Sequence, residues 1–152
     1  MMPGRIFVKI FAGNNIQKHE AKSALRAELI SPFVELQIGS QKQRSNVLKK
    51  QNKYPDWKGQ ALYFDMLDPK QLLDPNGDIP LLIRVFAKGS FSNTLLGETS
   101  ISVMPYFDEF AGERDEYELS WTHKKTGKVR DAGAIELKLT FQPAYTGILV
   151  AT

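Results

Sequence analysis

Along residues 81–87, Leu81, Ile83, Val85 and Ala87 alternate with Leu82, Arg84 and Phe86. A period of two is the mark of a strand with one face in a core. Turn chemistry follows at once in Lys88, Gly89, Ser90, Ser92 and Asn93, with Phe91 exposed among them, and Gly97 opens the next strand. Proline marks two further starts. Ser31-Pro32-Phe33-Val34-Glu35-Leu36 begins one alternating run, and Tyr54-Pro55-Asp56-Trp57 precedes another at Leu62, Phe64 and Met66. The pattern predicts eight strands, over residues 4–12, 32–39, 41–48, 58–65, 80–87, 97–103, 117–122 and 133–142, and so an all-β chain. The last is the cleanest, with Ile135, Leu137, Leu139 and Phe141 on one side and Glu136, Lys138 and Thr140 on the other. That is a sheet with one dry and one wet face. Only residues 21–30, AKSALRAELI, carry a helical stripe, through Ala21, Ala24, Leu25 and Leu29. They predict a short helix in the first loop, packed as a lid on one end of the strands.

A chain of 152 residues suits one domain, here 1–143, with 144–152 as a C-terminal tail or linker. At that size a single core buries about two thirds of the unfolded surface. Cysteine is absent, which removes disulfides and thiolate ligands and is compatible with a reducing compartment. No signal-like apolar segment follows Met1, and the run Gly147-Ile148-Leu149-Val150-Ala151 is far short of the roughly 20 apolar residues of a membrane span. A cytoplasmic location, peripheral to a membrane or associated with the cytoskeleton, is the expectation. The start at Met1 and the tail after Pro143 are read as the N-terminal piece of a longer chain.

The successive motifs are Ile6-Phe7-Val8-Lys9-Ile10-Phe11-Ala12, Ser31-Pro32-Phe33-Val34, Pro55-x-Trp57, the strand ending at Ala87, Leu96-Gly97, and Gly133-Ala134-Ile135-Glu136-Leu137. In this order and spacing they resemble a C2 domain over residues 4–142. The resemblance implies an eight-stranded antiparallel β-sandwich whose loops at one end bind calcium and phospholipid headgroups. Because the chain opens directly with the strand around Ile6 to Ala12, it resembles the permuted (type II) topology of that family.

The resemblance also implies where calcium ligands should stand: just before the proline of the second strand, in the loop ahead of it, and at alternating positions from the end of the fifth strand. Calcium takes about six to eight hard oxygens, largely carboxylate. Ser31 stands before Pro32, Asn14 and Asn15 fill the early first loop, and Ala87, Gly89 and Asn93 or Thr94 take the later places, with Lys88 beside them. No expected carboxylate is present, so calcium independence is expected, with no metal and no cofactor.

Antiparallel connection sends the first, third, fifth and seventh loops to one end, so their charges can be summed. Residues 13–30 hold Lys18, Lys22 and Arg26 against Glu20 and Glu28, and 49–57 hold Lys49, Lys50 and Lys53 against Asp56. Lys88 adds one, and 122–132 hold Lys124, Lys125, Lys128 and Arg130 against Asp131, which leaves seven positive charges in excess. At the other end Asp65, Asp68, Asp74, Asp78, Asp108, Glu109, Glu113, Asp115 and Glu116 face only Lys70 and Arg114, an excess of seven negative charges. The net charge of +3 hides this polarity. The basic end is the expected docking surface for anionic phospholipid, with Phe91 as an apolar anchor. A second basic face is expected at Lys42 and Arg44 on the third strand. Some family members bind phosphoinositides there, but Glu35 and Gln37 stand where that pattern wants lysines.

Catalysis finds no support. His19 and His123 fall in loops without a second histidine or cysteine at metal-ligand spacing, and both read as ordinary surface residues. Asp74-Pro75-Asn76-Gly77-Asp78 lacks the later bidentate glutamate of a calcium loop, and Thr126-Gly127-Lys128 lacks the rest of a phosphate loop. Nucleic acid is not expected, since no aromatic stacking platform accompanies the basic surface. The alternative to membrane docking is a protein-interaction module of a cytoskeletal or ciliary scaffold. It would bind an acidic or hydrophobic partner at an exposed strand edge or at an apolar groove near Phe7 and Phe11.

Overall fold

The computed structural model describes residues 1–19 and 29–144. Within them run eight strands: β1 (Gly4–Asn14), β2 (Pro32–Ile38), β3 (Gln41–Arg44), β4 (Asp56–Met66), β5 (Pro80–Ala87), β6 (Thr94–Ser102), β7 (Asp115–Thr122) and β8 (Val129–Pro143). All pairings are antiparallel and the lateral order is β3-β2-β5-β6-β7-β8-β1-β4. β6 and β7 meet at one pair, Glu98 opposite Ser120. There the ladder turns from one layer into the other, giving an antiparallel β-sandwich.

The core follows the alternation. Ile6, Val8 and Ile10 of β1, Val34, Leu36 and Ile38 of β2, Leu81, Ile83 and Val85 of β5, and Ile135, Leu137 and Leu139 of β8 are all fully buried. Stacked apolar faces of this kind supply most of the driving force, at about 25 cal/mol for each Å² removed from water. Sheet edges are a separate problem, because unpaired backbone groups invite other chains. The outer strands β3 and β4 are joined here by side chains. The Gln41 amide donates to the Asp65 carbonyl (2.7 Å) and accepts from the Asp65 N–H (3.0 Å), as a strand residue would. Further along, the Trp57 indole donates to the Asn46 carbonyl and the Asn46 N–H to the Gln60 side chain.

Each predicted strand is present; β5 matches at both ends and the others have at least one shifted end. β3 stops at Arg44 rather than continuing to 48, because Ser45 is pinned to Val34 through both its N–H and its hydroxyl and the chain then leaves the ladder. β6 begins at Thr94 and β8 at Val129, so Gly97 and Gly133 lie inside strands instead of opening them. Gly97 is required by close packing, since a Cβ there would fall 2.8 Å from the Ala132 side chain. Gly133 sits in a β-bulge against β7, at φ +84°, where a Cβ would come within 2.2 Å of the Asn14 carbonyl oxygen.

The helix predicted over 21–30 lies outside the described residues apart from Leu29 and Ile30, and Ile30 forms an antiparallel bridge with Gln51. Two helical turns escape the hydrophobic pattern. A 3-10 turn spans Pro69–Leu72, and α1 (Tyr106–Glu109) buries Phe107 against Phe141, ring centroids 4.7 Å apart. At this acidic end Asp65 pairs with Arg5 at 2.8 Å. The Asp74 carboxylate accepts the N–H groups of Asn76 and Asp78, so residues 74–78 form a closed turn.

Gly133→Ala is expected to cost about 2–3 kcal/mol, the strain of a side chain at positive φ added to the clash with Asn14, read as a lower midpoint in chemical denaturation. Tyr117 offers a pH test. Burial first, then its bond with Tyr106 and the neighbouring Asp115 charge, raise its hydroxyl well above the ordinary value of 10.0. The fold therefore favours the neutral phenol, and the stability this contributes is present below pH ~10 and lost as the pH climbs through the raised value. Native Tyr117→Phe and the wild type should show equal phenolate absorbance at about pH 11, whereas in denaturant the wild type should show more.

Candidate functional site

β1, β3, β5 and β7 all end at the same end of the sandwich, and the loops that follow them are stitched together by backbone hydrogen bonds. Gly13 N–H reaches the Pro55 carbonyl (2.8 Å) and Ile16 N–H the Lys53 carbonyl (2.9 Å), while Ile30 and Gln51 exchange two bonds. Ser31 is the junction. Its carbonyl accepts from Lys88 N–H at 2.9 Å and its hydroxyl from Lys50 N–H at 3.2 Å. The position implied for a calcium-ligating aspartate thus holds a neutral residue whose backbone carbonyl fixes the Lys88 amide and whose hydroxyl fixes the Lys50 amide. Ala87 is buried at the end of β5, and Gly89 and Asn93 lie exposed in the 88–93 loop. Gly89 closes that loop, because a Cβ would stand 2.2 Å from the Ser92 carbonyl oxygen. At the tip, Phe91 is as exposed as in an extended peptide, at 103%.

Lys49, Lys50, Lys53, Lys88, Lys124, Lys125, Lys128 and Arg130 are all exposed on these loops and the adjoining start of β8. None of them forms an ion pair with a described residue. The nearby carboxylates are otherwise engaged. Asp56 accepts the Lys58 N–H and Asp131 the Gly133 N–H, each holding a turn. Among the described residues no group of three or more His, Cys, Asp or Glu side chains is placed to hold a metal ion.

Lys42 and Arg44 behave differently. Both reach Glu35 on β2, at 3.7 and 3.4 Å, and the Glu35 side chain is only 6% exposed beneath them. Beside them Arg84 pairs with Glu98 and donates to Gln37. This second basic face is therefore largely compensated within the domain.

The histidines are half-buried structural residues, not ordinary surface ones. His19 stacks on Trp121 with centroids 4.5 Å apart and planes at 16°, and its Nε2–H donates to the Leu96 carbonyl at 2.7 Å. His123 packs edge-on against the same indole, and its Nδ1 accepts the N–H groups of Lys125 (3.2 Å) and Thr126 (3.3 Å). It shapes the loop that carries Lys124, Lys125 and Lys128. Sequence reasoning misses this aromatic cluster and the cleft of about 700 Å³ beside it. Trp121 is legible as a strand residue, but nothing local announces that a histidine about a hundred residues earlier packs on it.

The aromatic row near Phe7 and Phe11 is only partly covered from within the molecule, and Tyr63 stays 44% exposed. Tyr63 lies 5.9 Å from Phe7, Arg5 sits 4.6 Å over Tyr63, and Arg114 sits 3.8 Å over Phe11 while bonded to Glu136. Cation–π pairs of this kind hold both partners.

This fold and loop end belong to a recognisable class. The chain is a member of the C2 domain family, whose pattern matches residues 4–119. C2 domains are generally non-catalytic modules that engage membranes, lipids or other proteins. In structure the chain is similar to the calcium-bound pair of C2 domains of extended synaptotagmin 2, with TM-score 0.68 and 17% identity over 94% of this chain and 47% of that one. It therefore spans about half the length of that structure. A C2 domain of plant extended synaptotagmin 1 is similar at TM-score 0.63 and 17% identity, covering 94% and 97% of the two chains. A C2 domain-containing protein from a putative elicitor-responsive gene is similar at TM-score 0.64 and 21% identity, covering 94% and 91%. No curated protein matches the sequence. Among the described residues no helix is long and apolar enough to cross a membrane.

Replacing His123 by Ala should release the Lys125 and Thr126 amides, raising their hydrogen-exchange rates about tenfold while the core strands keep their protection. Unchanged exchange at both amides would remove His123 from its loop-shaping role.

Proposed function

We propose that the chain, as one C2 module over residues 1–143, docks on anionic phospholipid membrane without calcium, through the basic loops at the Phe91 end. The observation that carries this reading is a fully exposed Phe91 at the tip of a closed loop. Around it lie lysines with no described carboxylate to pair with. A calcium-dependent module brings positive charge to this end as bound ions. Here Lys49, Lys50, Lys53, Lys88, Lys124, Lys125, Lys128 and Arg130 supply it permanently, and Ser31, Ala87, Gly89 and Asn93 offer no carboxylate. Each basic side chain near an anionic leaflet contributes about 1 kcal/mol, and burying a phenylalanine adds about 1.5–3 kcal/mol. Four or five engaged lysines with one inserted ring give useful binding that salt weakens.

The scaffold reading has less to draw on. Arg5 lies over the Tyr63 ring and Arg114 over the Phe11 ring, with Tyr63 still 44% exposed, and Gln41 occupies the backbone of Asp65 on the β4 edge.

Co-sedimentation with neutral and anionic vesicles, each with calcium or chelator and at low and high salt, tests the proposal. Binding to anionic vesicles alone, unchanged by chelator and weakened by salt, is expected. Phe91→Ser should lower affinity about tenfold while leaving the salt dependence as it is, because it removes an apolar contact and no charge. A requirement for calcium, or no binding under any condition, would overturn this function and bring the scaffold reading forward.

A further inference from the structure

The two ends of the sandwich complement each other. Phe91, at 103% exposure, and Leu67, at 80%, are the two most exposed large apolar side chains among the described residues, and they stand at opposite ends. Leu67 lines a groove of about 460 Å³ where β1 begins and β4 and β8 finish, together with Pro3, Gly4, Gln142, Pro143 and Ala144. The groove also holds Arg5 and Asp65, which pair with each other at 2.8 Å and so add no net charge. Its surroundings are acidic. Asp68 follows Leu67 directly, and α1, which packs on Phe141 next to Gln142, carries Asp108 and Glu109. These three carboxylates are exposed and have no ion-pair partner among the described residues.

An exposed apolar side chain on one surface and a pocket on another define a heterologous contact, which adds copies in an open row unless its rotation closes a ring. Charge reinforces that match here. The Phe91 end carries seven positive charges in excess and the Leu67 end seven negative ones, so the two attract over about 10 Å at 0.1 M salt. A symmetric contact through either end would instead set like charges together.

We propose that the groove receives a second copy of this chain, head to tail. Phe91 of one copy seats on Leu67 of the next, and the lysines of the 49–53, 88–93 and 123–128 segments face Asp68, Asp108 and Glu109. This goes beyond the docking reading and shares with it only the basic end, for which an anionic surface and a second copy then compete.

Sedimentation of the full chain over a range of concentrations, at low and high salt, tests the contact. The average mass should rise with concentration at low salt, pass the dimer without a plateau, and return to the monomer at high salt. Phe91→Ser and Leu67→Ser should each weaken the association about tenfold. An equal mixture of the two variants is the sharper test, because each keeps the half that the other lacks. It should form a dimer with wild-type affinity and grow no further. A wild type that stays monomeric at low salt, or a mixture no more associated than its components, would overturn the proposal. A lower denaturation midpoint for dilute Leu67→Ser would assign the groove to the chain's own residues 145–152 and overturn it as well. Vesicle binding is read separately: Leu67→Ser should leave it unchanged, so self-association can fail with docking intact, and docking can fail with self-association intact.

Discussion

Strict antiparallel pairing of neighbouring strands is the constraint on which the domain depends. Each strand must cross the sandwich completely before the chain can turn, so odd-numbered connections share one end and even-numbered connections the other. Sequence segments separated by dozens of residues are thereby delivered to one small surface. The lysines around 50, at 88 and around 125 become neighbours for no local reason, and the acidic residues of the other connections are kept at the far end. A modest net charge becomes a strongly polar molecule. Such a charge distribution acts over a range set by the ionic strength.

Within the basic end the decisive local feature is a serine. Ser31 accepts two backbone N–H groups and needs no counter-charge. The loops are thus preorganised by main-chain bonds, with the side chains of Lys49, Lys50, Lys53, Lys88, Lys124, Lys125 and Lys128 exposed and without an ion-pair partner among the described residues. Lys42 and Arg44 make the contrast plain. Their charge stands on a sheet face above Glu35 and is spent inside the domain, so the same residue types on two surfaces have opposite availability. An inventory of basic residues cannot separate the two cases; the cross-strand register that puts Glu35 opposite Arg44 does.

The eight strands are legible in the sequence because period-two alternation is imposed by the pleat itself, and a segment with one buried face can hardly avoid writing it. Their ends are less so. Gly97 and Gly133 look like strand openings in sequence, where glycine usually punctuates, yet both lie within strands because a neighbouring element approaches too closely for a side chain. The two short helical turns go unseen, being shorter than any window in which a 3.6-residue period can be detected. The histidines mislead for a related reason. A histidine in a polar stretch gives no local sign of packing, and His19 acquires its role from Trp121 and Leu96, both remote in the chain.

Residue identity and antiparallel order are enough to give the strand count, the alternating core, the absence of carboxylates at Ser31, Ala87, Gly89 and Asn93, and the charge of each end. Which of those charges remain available, and what surrounds them, is settled by packing instead. Glu35 neutralises one basic face, Ser31 locks the loops of the other, and the parting of β6 from β7 opens a cleft walled by an indole that a distant histidine clamps. Those outcomes turn on distances of a few ångströms between segments far apart in the chain, and local residue patterns do not encode them.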